Sequence, residues 1–226
     1  MKLLIAIDGA CRRNGKPDCT SSGGVFIQQF DDDRNLVACY TLSAYEYNST
    51  NQRGELLALL KAMRFIHKAQ AEAFVVTDSE YIFNAMTKRW YDNWVNNSWL
   101  TRSGDPVKNQ DIWSEIVRIV DMCDSQHTDV TFYHVKGHCI PFGRVTASNA
   151  LEADSTGAAL HKLVQARFDE VAPSKKSVFD AAIELSIRNN GFEPSADTFK
   201  EWVTANVMAD AIATKVVDAA DSLRET

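Results

Sequence analysis

A chain of 226 residues, 45% of them hydrophobic, is long enough for one well-cored domain and a small second unit. None of its apolar runs approaches the roughly 20 residues that span a bilayer, and a net charge of −6 argues against a nucleic-acid coat that works by charge alone. Five scattered cysteines with no CxxC pair indicate neither a zinc site nor a disulfide framework.

Residues 2–8 begin as a strand of buried type, Leu3 to Ile7, that stops at Asp8. Residues 23–30 and 35–42 read as two more strands, joined by an Asp-rich turn at 31–33. A helix follows, capped by Thr50 or Asn51, with Leu56, Leu59, Leu60, Met63 and Ile66 at helical spacing. Glu55 lies one turn before Leu59 and so shares the inward face. Residues 73–77 form a short strand ending at Asp78, and a second helix starts at Ser79. Ile112, Ile116, Ile119 and Val120 mark another helix, 129–135 a last strand, 137–150 a loop with Gly and Pro, and 151–168 a helix. Three antiparallel strands followed by strands reached through helices predict a mixed five-stranded α/β sheet flanked by helices. Pro173 and its neighbours read as a linker, and helical patterning resumes around an Asn189-Asn190-Gly191 break. The expected division is a main domain at 1–168, a linker at 169–176 and a small all-α extension at 177–226. The apolar run after Lys2 is too short for a signal peptide, so a cytoplasmic protein, off the membrane and monomeric, is expected.

The acids carry the chemistry. A carboxylate at the end of a buried strand is costly unless something satisfies its charge. One such acid is commonly a turn or cap residue, and Asp78 could cap the helix at Ser79. Two of them, with Glu55 on an inward helix face and Asp154 before another helix, point to a divalent-metal site. Hard oxygen donors suit Mg²⁺, which has no use for the cysteines.

The chain resembles ribonuclease H, type 1, across roughly residues 1–166. The matching segments are IDGACRRNG at 7–15, TNQRGELLAL at 50–59, TDSEYIFNAM at 77–86, a Trp-rich stretch at 89–113, YHVKGH at 133–138 and EAD at 152–154. The resemblance implies the fold of that family and cleavage of the RNA strand of RNA–DNA hybrids by two Mg²⁺, with Mn²⁺ the alternative. Paired ions about 3.5–4 Å apart hold the attacking water and the leaving 3′-oxygen in such a mechanism. It further implies Asp8, Glu55, Asp78 and Asp154 as metal ligands and catalytic residues, with His138 as a mobile catalytic histidine. Gly9, Asn14, Asn51 and Gln52 would read the 2′-hydroxyls of the RNA, and Thr50 a phosphate of the DNA strand. Arg89, Trp90 and Trp94, with Trp99, would form a substrate handle.

Three departures stand out. Position 80 is Glu where many relatives carry Gln, the handle is thinly basic, and the loop between His138 and Asp154 is long. The Asn expected four residues before the last acid sits at Asn149, five before Asp154, which leaves Glu152 as a rival ligand. Another nuclease of the same fold and an inactive hybrid- or duplex-RNA-binding module are the competing readings. All motifs lie upstream of the linker, so truncation after Ala172 is expected to leave an active enzyme.

Overall fold

The computed structural model describes residues 1–224. Three long strands come first: β1 (Lys2–Arg12), β2 (Thr20–Phe30) and β3 (Leu36–Tyr47). Helix α1 (Asn51–Ala69) then leads to β4 (Glu72–Thr77), and α2 (Glu80–Thr87), α3 (Trp90–Asn96) and α4 (Gln110–Ser125) lead to β5 (Val130–His134). The chain closes with α5 (Arg144–Ala153), α6 (Ala158–Val171), α7 (Lys176–Asn190) and α8 (Ala196–Arg224). The strands form one sheet in the order β3-β2-β1-β4-β5, antiparallel among the first three and parallel from β1 through β4 to β5. This is the mixed sheet that the strand and helix patterns predicted.

Side chains alternate across a strand, so each strand feeds two layers. Leu3, Ile5 and Ile7 of β1 pack with α1, α2 and α4, while Leu4 and Ala6 pack with α5 to α8. On β4, Val75 joins the first layer and Val76 the second. Glycines set the distance between layers. A Cβ on Gly9 would lie 2.7 Å from the Glu55 backbone nitrogen on α1, and one on Gly24 would overlap the backbone of Ala209 and Ala213 on α8.

The tail differs from expectation. Helix α8 lies on β1 and β2 as part of the second core layer, not as a separate unit. Trp202 to Ala209 are buried in unbroken succession, because the sheet covers one side of α8 and α5 to α7 cover the other. The expected linker is also absent: α6 runs to Val171 and continues through a 3₁₀ turn, Ala172–Lys175, into α7. Pro173 fits there because the first turn of a helix has no use for its missing N–H. The expected loop at 137–150 contains most of α5. Cys11 and Cys19 are disulfide-linked at the mouth of the β1–β2 hairpin, a pairing that depends on strand register and is not visible in the cysteine spacing. Among the described residues no helix is long and apolar enough to cross a membrane.

Candidate active site

Asp8 follows Leu4 and Ala6 on the α8 side of β1, and Asp78 follows Val76 on the same side, one step beyond the end of β4. Asp8 is only 8% exposed, and its Oδ1 accepts the Gly9 amide at 2.6 Å. Glu55 reaches over from the first turn and a half of α1. Asn51 Nδ2 donates to its Oε1 at 3.0 Å and Ser79 Oγ to its Oε2 at 2.7 Å. The helix starts are set locally: Thr50 caps α1 by accepting from Arg53 N, and Ser79, not Asp78, caps α2 by accepting from Ile82 N. Asp78 is thereby left free of capping duty.

The three acids share one environment. Burial pushes the Asp8 carboxyl well above its usual range, and the charges of Asp78, Asp210 and Glu55 push it further. Burial also raises Asp78, with Asp210 adding to the rise and His138 and His134 opposing it. Glu55 is raised by burial and by Asp78, against the pull of its Ser79 and Asn51 hydrogen bonds. Gly137 sits so close over Asp78 that a Cβ there would overlap the carboxylate, and exposed His138 follows it with φ of 56°.

The fourth acid in this environment is Asp210, from the middle of α8. Asp154 is held elsewhere, in the turn before α6. It accepts from Thr156 Oγ1 at 2.6 Å, Ala159 N at 2.9 Å and Thr156 N at 3.0 Å, closing the turn that starts α6, and those bonds, the Thr156 hydroxyl first, hold its carboxyl below the usual range. Its charge falls on Cys39 of edge strand β3, not on Asp8 or Asp78. Glu152, the rival, is exposed and pairs with Lys215 at 3.7 Å. The available signal for Asp210 was Asn206, which precedes it by four residues, with Ala209 in between as the first half of an Ala-Asp pair. Asn206 is 3% exposed, and its Nδ2 has no hydrogen-bond partner.

Beside the acids runs an open trough of about 660 Å³ lined by Asn14, Thr50, Asn51, Gln52, Glu55, Ser79, Tyr81, Lys108 and Asn109. It brings together four of the expected substrate-binding residues. Gly9 lies behind it against α1. The expected handle is not part of the trough. Arg89 pairs with Asp92 at 2.8 Å and Asp124 at 3.7 Å. Trp90 and Trp94 pack edge-on with each other, and with Tyr81 and Trp113 on the flank of the first core layer.

Residues 1–155 match the sequence model of the RNase H family, more than half of the chain. The chain belongs to the ribonuclease H family. It is a ribonuclease H enzyme, a phosphodiester hydrolase. Ribonuclease H of Clostridium botulinum strain Hall is 31% identical over 137 residues, 61% of this chain and 84% of that protein. Ribonuclease H of Marinobacter nauticus is 36% identical over 138 residues, 61% and 82% of the two chains. Among solved structures, LC9-RNase H1, a type 1 RNase H with the type 2 active-site motif, aligns with a TM-score of 0.51 at 26% identity, covering 61% of this chain and 64% of that one. The match to the RNase H family stops at residue 155, just past Asp154 and well before Asp210.

Proposed function

We propose that this ribonuclease H cuts the RNA strand of RNA–DNA hybrids with two Mg²⁺ ions held by Asp8, Glu55, Asp78 and Asp210. The observation that carries the reading is the uncompensated charge around Asp8: acids from β1, α1, α8 and the end of β4 raise or share one buried environment, and no Lys or Arg is among the groups that relieve it. Carboxylates so placed hold protons unless a cation arrives. Among the described residues no three such side chains converge as a ready-made cage. Mg²⁺ keeps several waters and takes hard oxygen donors such as these carboxylates. Mn²⁺ takes the same oxygen donors. Bound there, the ions would supply an activated water and stabilise the charge on the leaving oxygen.

The remaining work falls to the chain. Asn51 and Ser79 keep Glu55 turned toward Asp78. The amides of Asn14, Asn51 and Gln52, on the trough wall, offer donors and acceptors to 2′-hydroxyls in a shallow minor groove. Thr50, at the same wall, faces the other strand. His138, exposed beside Asp78, moves protons between the site and solvent. Labelled hybrid, RNA duplex and DNA duplex incubated side by side with Mg²⁺ or a chelator test the reading. Mg²⁺-dependent cutting of the hybrid's RNA strand alone is expected. Binding without cleavage would mean an inactive hybrid-binding module, and equal cutting of DNA duplex would mean another nuclease of this fold.

A further inference from the structure

The Asn189-Asn190-Gly191 segment ends α7, with Gly191 in the left-handed conformation that stops the helix. Both asparagines turn to the same residue. β5 is an edge of the sheet, and its inner side bonds β4, Val135 N donating to Thr77 O. On its outer side the backbone of His134 has no strand to pair with. Asn190 takes that place: His134 N donates to its Oδ1 at 2.8 Å, and its Nδ2 donates to His134 O at 2.9 Å. Ser186 Oγ, one turn back on α7, also reaches His134 O, at 3.4 Å.

Asn189 holds the ring. Its Nδ2 lies 3.0 Å from His134 Nδ1, and His134 Nε2 lies 3.2 Å from the main-chain oxygen of Asp78. A carbonyl only accepts, so Nε2 carries the ring hydrogen and Nδ1 accepts from the Asn189 amide. The ring is 2% exposed and stacks edge-on against Phe83, so it has no room to turn away. Three residues after His134, Gly137 lies against the Asp78 carboxylate.

We propose that Asn189 and Asn190 are positioning residues for Asp78, acting through His134. The inference rests on the reading of Asp78 as a metal ligand. Asn190 fixes where β5 ends, and hence where Gly137 meets the carboxylate. Asn189 fixes the imidazole that fixes the Asp78 carbonyl. Helix α7 thus has a second task beyond covering the sheet: it sets the direction of an acid that it never touches.

The test is calorimetric Mg²⁺ titration of the full chain without nucleic acid, together with kcat and KM on labelled hybrid. Outer-shell partners of metal ligands typically matter by about 10–100-fold. Asn189→Ala and His134→Leu are therefore expected to weaken Mg²⁺ binding about tenfold and to lower kcat, with KM for hybrid little changed. His134→Gln, whose amide can still donate to the Asp78 carbonyl, is expected to stay near the parent. Folded Asn189→Ala and His134→Leu proteins that bind Mg²⁺ like the parent would overturn the proposal, whatever their melting temperatures. If Asn189→Ala does not fold, the His134→Gln and His134→Leu pair decides by the same criterion. Asp78→Asn is the separate control: unchanged Mg²⁺ affinity there would sink the metal-site reading itself.

Discussion

At the scale of single residues, the structure separates two aspartates that look alike in the sequence. Asp210 shares the environment of Asp8, and Asp154 closes a turn. Asp210→Asn is expected to lower hybrid cleavage on the order of a hundredfold, since it removes a charge that is proposed to hold the metal. Asp154→Asn is expected to leave the initial rate nearly unchanged and to lower the melting temperature, because the amide keeps only one of the two accepting oxygens. The reverse pattern in initial rates would return the fourth ligand to Asp154. His161 makes a different prediction. It is buried on α6 against Phe26, with ring centroids 5.4 Å apart, and burial, with Lys200 nearby, pushes its pKa down to about 4 from an ordinary 6.5. A depressed imidazole favours the folded state above the unfolded pKa, and that advantage is lost as pH falls from about 6.5 toward about 4. Urea unfolding at pH 7 and pH 5 should show His161→Leu losing on the order of 2 kcal/mol less than the parent over that interval. An unchanged difference would mean that the ring is already charged in the fold.

At the scale of elements, what could be read beforehand follows from periodicity. The run Leu3–Ile7 before Asp8 and the stripe Leu56, Leu59, Leu60, Met63, Ile66 around Glu55 each carry a repeat that one geometry alone explains, so β1 and α1 and their acids were legible. Helix α8 was legible as a helix but its place on the sheet was not, because a helix buried on all sides has no polar stripe to give its orientation. Asn206 and Asp210 lie in such a stretch, while the Glu152-Ala153-Asp154 string offered the same short pattern in a more familiar place. Disulfide pairing and the Asn189–His134 contact depend on register and packing between distant segments, which local sequence does not encode. Two outcomes follow from the place of α8. A chain ended after Ala172 lacks the cover of β1 and β2 and is expected to be insoluble or unfolded by circular dichroism, against the earlier expectation of a dispensable tail. Gly24→Ala should cost about 1–3 kcal/mol through the clash with α8. It should lower kcat as well, since the same helix carries Asp210. Wild-type turnover in a stably folded 1–172 fragment would refute this account.

At the scale of the molecule, several arginines are already paired with acids before substrate arrives. Arg12 pairs with Asp218 and Arg13 with Asp221, tying the β1–β2 hairpin to the end of α8. Arg53 is held by Glu46 at 2.7 Å and Asp111 at 2.8 Å. Lys108 is the cation on the trough wall. Each phosphate neutralised adds close to one unit to the log–log salt dependence of affinity, so hybrid KM is expected to rise with KCl with a shallow slope, about two or less. A steep slope would show that the arginine pairs open to take phosphates. The position of α8 also governs when activity can begin. Asp8 is made almost at once, but one of the acids that share its environment is residue 210, on the helix that covers its strand and comes last in the chain. Such distant pairing closes slowly, because the long loop must be ordered before the contact rewards it. During synthesis the site therefore stays incomplete through nearly the whole chain, and a growing copy is expected to gain activity only once its last helix has been made.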